Sequence, residues 1–347
     1  MSKDRSPLLP ERHPTPDFFV CDIFDAAPKG DMASMEHPIF SLSTKPDHRV
    51  RRYENGSSYI EIKPSADGLA TVHDRDVLIY CISQLISAIN EGRDVSQVVR
   101  FKAYDLLKAT NRMTNGQGYD ALKAAFERLS GTRISTNIVS GGFEEFETFG
   151  LIERAKVVRE TREGRMQEVE IKLSDWVFSA IRQQEVLTLH RNYFRLRKPL
   201  ERRIYEIARK HCGRQAEWRI SLIKLQLKCG STSTEKEFRR LIRSIASENR
   251  LHQHFPDYGI ELTDDDMVVL KNRSTSLGED IEPDHVPQIR PETYGRARDV
   301  APGWDIYLIE QEWREWAKNG PSTALRDADE AFIGFCRRWY ERKGPAG

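Results

Sequence analysis

The sequence lacks the features of exported, membrane-spanning and disulfide-bonded proteins. Its five cysteines are scattered, form no Cys-x-x-Cys pair and are odd in number, which argues against a disulfide framework and a zinc finger. The longest apolar-rich stretch, residues 77–89, is broken by polar residues and is too short to span a bilayer. The N-terminus has no apolar segment followed by a small-residue cleavage site. We therefore expect a cytoplasmic protein that makes no membrane contact.

Nucleotide-binding loops are also missing from the sequence. Neither Gly-x-x-x-x-Gly-Lys-Ser/Thr nor Gly-x-Gly-x-x-Gly occurs, so ATP hydrolysis and dinucleotide chemistry have no support. We predict a protein that is not an enzyme and that uses no cofactor and no metal ion.

A strong charge asymmetry is present in this chain of 347 residues, although its net charge is only +1. Residues 180–250 contain 18 Lys and Arg against 7 Asp and Glu, a net charge of +11. The flanking parts carry −3 and −7. A basic block of this kind is typical of a protein that binds a polyanion, because each cation that meets a phosphate releases condensed counterions.

The N-terminal part divides into two segments. Residues 1–17 contain four prolines and few apolar residues, so we predict a disordered leader. Residues 18–73 include two runs of strand-forming residues on either side of Asn55-Gly56, a dipeptide typical of tight β-hairpins.

The pattern of residues 74–190 predicts two helices near 74–90 and 103–110, a turn at 115–118 and a third helix with an apolar face at 122–129. Strands are predicted to follow at 133–139, 150–160 and 166–173. Helices closed by a β-hairpin are typical of a winged helix. Lys123 and Arg128 on the third helix are offset by Asp120 and Glu127. The charge of this unit therefore gives only weak support for DNA binding. Its expected role is dimerisation or a minor DNA contact.

The same order recurs in residues 191–273. Pro199 opens a helix over 199–212, with Arg202 and Arg203 outside its apolar stripe. Ser221 can cap the next helix, Gly230 provides a turn, and Thr232-x-x-Glu235 is interpreted as a capping box that opens a helix over 232–250. Residues 259–271 predict a second wing.

Two further segments complete the predicted organisation. Residues 274–302 contain four prolines and no periodic apolar pattern, which indicates a linker. Residues 303–343 carry two apolar stripes divided by Asn319-Gly-Pro, which predicts an αα-hairpin. The predicted fold class is α+β and mostly helical, with two tandem winged-helix domains and a small C-terminal helical hairpin.

The predicted 232–250 helix has the properties of a recognition helix. The major groove is about 12 Å wide and admits a helix, while hydroxyl groups and cations can bind phosphates and base edges. The alternative interpretation is that this helix only presents an ordinary basic surface to solvent. We favour DNA binding because the helix follows a turn, precedes a predicted wing and lies in the one strongly basic block of the sequence. The predicted DNA-binding residues are Ser231, Thr232, Ser233, Lys236, Arg239, Arg240, Arg243 and Arg250 on this helix, and Arg195, Arg197, Lys198, Arg202 and Arg203 before it.

Three long strings resemble a known protein family. They are CDIFDAAPK at 21–29, SMEHPIFSLSTKP at 34–46 and LTLHRNYFRLRKPLERRIYEIARKHCG at 187–213. Over about residues 18–270 the chain is similar to the plasmid replication initiator protein A family of bacteria. The resemblance implies binding to repeated sites in double-stranded plasmid DNA at an origin, recruitment of the host initiator and helicase, and autorepression of the protein's own promoter.

Two other functions fit parts of the sequence. A DNA-binding transcriptional regulator would share the same fold. A metal-dependent rolling-circle nickase would use His252-Gln-His254 with Tyr205 or Tyr258 as its nucleophile, although Gln253 replaces the bulky apolar residue expected between the histidines. Histidines in a loop before the wing are the simpler interpretation.

Overall fold

The structure is a computed structural model that describes residues 6–13, 21–23, 38–55, 58–140, 143–159, 166–182, 186–213, 215–273, 289–302, 304, 306–319 and 327–344. The chain divides into two compact units, one formed by Met1–Ser83 and Gln97–Arg273 and the other by Gln84–Ser96 and Ser274–Gly347. The fold mixes helices with antiparallel sheets. Among the described residues, no helix has both the length and the apolar content needed to cross a membrane.

Three strands precede the first long helix: β1 (Cys21–Ile23), β2 (Arg51–Asn55) and β3 (Ser58–Lys63). Strands β2 and β3 are antiparallel, with Asn55 opposite Ser58, so the predicted hairpin around Asn55-Gly56 is confirmed.

The next part of the chain alternates helices and strands. Its elements are α1 (Arg75–Asn90), β4 (Val98–Phe101), α2 (Ala103–Ala109), α3 (Gly116–Gly131), β5 (Arg133–Ser140), β6 (Phe143–Gly150), β7 (Ile152–Arg159), β8 (Met166–Leu173), α4 (Asp175–Arg182) and β9 (Val186–Thr188). A three-stranded sheet has the order β4-β8-β7. We call α1, β4, α2, α3, β7 and β8 the first repeat.

Strand β6 was not expected. It pairs with β5 along its whole length and extends the N-terminal hairpin into a sheet of order β2-β3-β5-β6. Its aromatic residues Phe143, Phe146 and Phe149 recur every third residue, which matches neither the two-residue period of a strand nor a helical stripe. The sequence pattern therefore gave no signal for it.

The basic block folds into the same element order. It contains α5 (Pro199–His211), β10 (Glu217–Ser221), α6 (Leu222–Cys229), α7 (Glu235–His252), β11 (Tyr258–Leu262) and β12 (Met267–Asn272), with a sheet of order β10-β12-β11. We call these elements the second repeat. In both repeats the middle strand of the sheet is the last strand in the sequence, so the two topologies match.

The core of the second repeat follows the predicted helical stripes. Pro199 lies in the first turn of α5, where its missing N–H leaves no hydrogen bond unmade. Ile204, Ile207 and Ala208 of α5 are buried against Phe238, Ile242 and Ile245 of α7 in one apolar cluster. Complete burial of a side chain of this size stabilises the fold by about 1.5–3 kcal/mol. The two helices are therefore fixed by their apolar faces.

Part of the predicted disordered leader is ordered. Residues 6–13, which we call the N-terminal strap, cross both repeats. Leu9 N–H donates to the Arg195 carbonyl oxygen at 2.8 Å, and Leu8 forms a bridge with Leu196. At the other end, Arg12 N–H donates to Asn111 Oδ1 at 2.8 Å. Backbone pairing with distant segments, which a local composition argument does not detect, orders the strap. Residues 1–5 and 14–17 lie outside the described residues.

Among its described residues from 289 onward, the second unit contains three helices where the sequence indicated a linker and two helices. They are α8 (Pro291–Val300), α9 (Ile306–Asn319) and α10 (Ala328–Lys343). Helix α8 falls inside the predicted linker of residues 274–302, of which 274–288 lie outside the described residues. Its most buried side chains, Thr293 and Ala297, are small, so α8 has no large apolar stripe.

Aromatic residues form the centre of this unit. Trp313 of α9 and Phe332 of α10 are fully buried, with ring centroids 5.4 Å apart. Asp329 of α10 accepts hydrogen bonds from the Thr293 hydroxyl and the Arg290 backbone, which ties α10 to the start of α8. Trp316 stays half-exposed beside Phe335.

Candidate nucleic-acid interface

The N-cap residue of helix α7 lies two positions later than the sequence indicated. Thr234 is the N-cap residue, and its hydroxyl accepts a hydrogen bond from Glu237 N–H at 3.3 Å. The expected Thr232-x-x-Glu235 capping box is therefore wrong. Both carboxylate oxygens of Glu237 accept hydrogen bonds from Arg240. Because Thr232 is not the cap, its hydroxyl instead accepts a hydrogen bond from Arg49 Nη2 at 3.4 Å.

The turn before α7 depends on Gly230. Helix α6 ends there in the left-handed conformation, with φ of 66°, and the Ser221 side chain caps its other end as predicted. A Cβ atom at Gly230 would lie 2.4 Å from Pro38 Cγ. Both the backbone angle and this close approach therefore require glycine. Beyond the turn, the hydroxyl groups of Ser231 and Ser233 lie 2.9 Å apart.

Helix α7 presents a basic face opposite its apolar face. Phe238, Ile242 and Ile245 are buried. Of the residues of this helix that were predicted to bind DNA, four are exposed: Lys236, Arg240, Arg243 and Arg250. Lys236 and Arg243 form no ion pair with any other residue that the structure describes. Their charges are therefore available to a ligand in solution.

Acidic residues partly neutralise Arg239 and Arg240 of α7. Arg239 lies 2.7 Å from carboxylate oxygens of Glu235 and of Asp266, which belongs to the turn between β11 and β12. Arg240 contacts Glu237 at 2.7 Å, and this contact lowers the pKa of the Glu237 carboxyl group. Arg239 and Arg240 must therefore each break a contact with an acidic side chain before they bind a phosphate or a base.

The three cations that precede α5 have different environments. Arg197 is exposed. Arg195 is half-buried, and its Nε–H donates to the Leu9 carbonyl oxygen at 3.0 Å. The Lys198 ammonium lies 2.7 Å from Glu248 and 3.3 Å from Glu201. Of the three, Arg197 alone combines exposure with the absence of a contact to another described residue.

Arg202 and Arg203 were expected outside the buried stripe of α5, and this expectation is wrong. Arg202 is 2% exposed, with Nη1 2.6 Å from Asp76 Oδ1, and it also donates to the Phe194 and Leu196 carbonyl oxygens. Arg203 is 3% exposed and pairs with Glu206 at 3.1 Å. Because α5 is buried on two faces, a single apolar stripe does not identify its interior positions. Neither guanidinium belongs to the basic surface.

These arginines belong to a network of ion pairs at the junction of the repeats, which we call the junction network. Arg202–Asp76 and Arg75–Glu206 join the two repeats. Arg112–Asp76 and Arg128–Asp74 extend the network within the first repeat, and Arg203–Glu206 lies within α5. Arg128 is one of the two cations that the sequence analysis placed on the third helix, α3. With Arg128 committed to Asp74, the exposed charges nearby are Lys123 and the acidic Asp120 and Glu127. Helix α3 therefore lacks the basic face of α7.

Three of the four side chains of the nickase alternative are buried. His252 is exposed, whereas His254 is buried with Nε2 3.3 Å from Glu201 Oε1. Tyr205 is fully buried, and its hydroxyl donates to Asp257 and accepts from His190 N–H. Burial raises the pKa of Tyr205 well above its ordinary value. Tyr258 is also buried, and its hydroxyl donates to the Gly213 carbonyl oxygen. Neither tyrosine is presented to a phosphate in solution.

Glu201, Glu248 and His254 together form an acidic cluster. Their ligand atoms lie within 4.8 Å of one another, a spacing that suits a metal ion. Lys198 already contacts both carboxylates, so the cluster contains its own cation.

Comparison with known proteins identifies the family. The family described as Replication initiator protein A matches residues 29–260. A protein of Wigglesworthia glossinidia brevipalpis named "Putative replication protein" is 40% identical over 263 residues, which cover 74% of this chain and 94% of that protein. The chain belongs to the replication initiator protein A family. The family match includes both repeats up to β11 and ends before the helices of the second unit.

Two solved structures with low sequence identity are similar to this chain. Both contain domains 2 and 3 of RctB, one of them as the selenomethionine derivative. Each is 13% identical, covers 70% of this chain and 97% of the solved chain, and gives a TM-score of 0.49 or 0.48.

Sequence reasoning missed the N-terminal contribution to this surface. Arg49 and Thr232 are separated by 183 positions, so no local pattern could pair them. The acidic partners of Arg239 and Arg240 were also not assigned. Charges three and four positions apart on a helix could have indicated Glu237 and Glu235, whereas Asp266 required the fold.

Proposed function

We propose that this member of the family initiates plasmid replication by binding repeated double-stranded sites at an origin. The exposed basic face of α7 is the observation that carries the proposal. We assign both repeats as winged helices, since each places three helices beside a three-stranded antiparallel sheet. In the second repeat α7 enters the major groove, and the β11–β12 hairpin contacts the flanking backbone.

The two repeats differ in surface charge, and we assign them different roles. Lys236, Arg243 and Arg250 give α7 a positive face that attracts phosphates and can donate to guanine edges. Helix α3 has a mixed surface and does not read bases in this proposal. It serves instead in dimerisation or in a minor DNA contact. Recruitment of the host initiator and helicase, and repression of the protein's own promoter, follow from occupancy of the origin in the cytoplasm.

Footprinting tests the proposal. The purified full chain is incubated with DNA flanking its own gene at two salt concentrations, with and without magnesium. We expect protection of direct repeats that weakens as salt rises, with no strand cleavage. A single protected palindrome over the promoter would instead indicate a transcriptional regulator, and magnesium-dependent cleavage would indicate a nickase. Binding of the protein to none of this DNA would refute the proposal.

A pair of matched substitutions tests the assignment of α7. Arg243→Ala should weaken binding by about 1–3 kcal/mol if the side chain reads a base, and should flatten sequence preference. Lys123→Ala removes an exposed cation from the equivalent helix of the first repeat, which reads no bases in this proposal, and should leave sequence preference unchanged. Fluorescence anisotropy with the protected duplex measures both. Equal affinities for Arg243→Ala and the native chain would overturn the recognition-helix assignment.

A further inference from the structure

A second basic segment lies beside the start of α7 although it is distant in sequence. Residues 38–53 contain four Lys and Arg and a single acidic residue, Asp47. Pro38 packs against Gly230, and Arg49 donates to the Thr232 hydroxyl. This segment therefore joins the second repeat at the turn between α6 and α7.

The buried Asp47 side chain fixes two arginines of this segment. Its side chain is 4% exposed and accepts from Arg49 Nε at 2.9 Å, from Arg49 Nη2 at 3.0 Å and from Arg51 Nη2 at 3.0 Å. These contacts hold the pKa of the Asp47 carboxyl group far below its ordinary value. One carboxylate thus holds two guanidinium groups, which leaves the cluster with a net charge of +1.

The two arginines of the cluster differ in exposure. The Arg51 side chain is 10% exposed, whereas the Arg49 side chain is 63% exposed. A guanidinium has five N–H donors. In Arg49, Nε–H and the two Nη2 hydrogens serve Asp47 and Thr232. No other residue that the structure describes accepts from Nη1. The inner edge of Arg49 is therefore fixed and its outer edge can bind a ligand.

We propose that Arg49 and Thr232 together bind a backbone phosphate of the duplex that α7 reads, with Asp47 as the positioning residue. The inference rests on the proposed function. The Nη1 hydrogens of Arg49 supply a charge-assisted contact, and the Thr232 hydroxyl donates its own hydrogen while it accepts from Arg49. A guanidinium already held in position loses little side-chain entropy when it binds. The N-terminal segment thereby becomes part of the DNA-binding surface.

The neighbouring Arg52 provides a matched control. It lies on β2, three positions after Arg49, is 47% exposed and pairs with Glu54 at 2.6 Å and Glu61 at 3.5 Å. Lys63 also contacts Glu61, so two cations balance two acids around Arg52. Substitution of Arg52 removes an exposed arginine from a neutral cluster, whereas substitution of Arg49 removes one from a positive cluster.

The test compares Arg49→Ala, Arg52→Ala and the native full chain by anisotropy, with the footprinted duplex and a scrambled duplex. Arg49→Ala should weaken binding to both duplexes, because a phosphate contact carries no sequence information. One lost contact reduces the salt slope by about 0.9, so the ratio of variant to native Kd should fall about threefold between about 50 and 200 mM salt. Arg52→Ala should match the native chain.

One replacement variant and three possible results complete the test. If Arg49→Ala lowers the melting temperature, Arg49→Gln replaces it, because Gln retains a donor for Asp47 and removes the charge. A loss of affinity that does not change with salt would assign Arg49 a purely structural role and overturn the inference. Native affinity in Arg49→Ala while Arg243→Ala binds weakly would overturn the inference and leave the proposed function intact. Absence of DNA binding by the native chain would overturn both.

Discussion

At the residue scale, arginines five positions apart have opposite roles. Arg197 is exposed, whereas Arg202 is buried in the junction network against Asp76. Arg202→Ala would leave Asp76 with only its longer contact to Arg112 and would remove two donors from backbone carbonyls. We expect a loss of about 3–5 kcal/mol in the free energy of unfolding. Urea denaturation measures it, with Arg197→Ala as the control, expected within about 0.5 kcal/mol of native. Similar losses in both variants would contradict the assignment.

A second residue-scale prediction concerns pH. Burial, with the charges of Arg202 and Arg112, lowers the pKa of His73 from 6.5 to about 3. The unfolded chain therefore binds this proton more readily than the folded chain. The contribution to stability is complete above pH 6.5 and declines as the pH falls from 6.5 towards 3. His73→Asn removes the titrating group, so its unfolding free energy should depend less steeply on pH in that window. Parallel profiles for variant and native chains in urea titrations would disprove this role.

At the scale of elements, the start of α7 can be tested by two threonines. Thr234 caps the helix, whereas Thr232 lies outside it. Thr234→Ala should lower the free energy of unfolding by about 1 kcal/mol, because the Glu237 N–H loses its acceptor. Thr232→Ala should change it much less. Chemical denaturation of the two variants gives the comparison, and a larger loss in Thr232→Ala would restore the capping box that the sequence indicated.

Sequence periodicity predicted the helices whose large buried apolar residues recur at helical spacing. The stripes of α5 and α7 were recognisable because Ile204, Ile207, Phe238 and Ile242 are large and spaced by helical turns. Helix α8 was missed because its buried residues are small.

The same limit applies to the candidate site, where local spacing predicted the exposed cations but not the long-range pairings. The outward positions of Lys236 and Arg243 follow directly from the α7 stripe. The burial of Arg202 depends on Asp76, which is 126 positions away, and the placement of Arg49 depends on Thr232. Such long-range pairings leave no local pattern.

At the scale of the whole molecule, the two repeats share an element order and a sheet order but differ in surface charge. Helix α7 has an exposed basic face, whereas α3 combines Lys123 with Asp120 and Glu127 and commits Arg128 to the junction network. A fold does not determine function, so the surface must distinguish the repeats. The family match covers the first repeat and the second as far as β11, and among the described residues of the repeats the basic face lies on the second.

The N-terminal strap connects the two repeats, so its removal tests how the molecule is held together. Deletion of residues 1–13 removes the contacts of Leu9 with Arg195 and of Arg12 with Asn111. After the entropy gained by the free strap is discounted, we expect the free energy of unfolding to fall by about 1–3 kcal/mol.

Hydrogen exchange measured by mass spectrometry localises the effect of this deletion. Exchange should accelerate in peptides that contain Asn111 and Arg195, because both attachments of the strap are lost. Peptides from α10 belong to the other compact unit and serve as the internal control. Unchanged exchange around Asn111 and Arg195 would mean that the repeats are held by the junction network alone. In that case Arg202→Ala should by itself release the segment that carries Arg197 and Lys198, since Arg202 donates to the Phe194 and Leu196 carbonyl oxygens just before it.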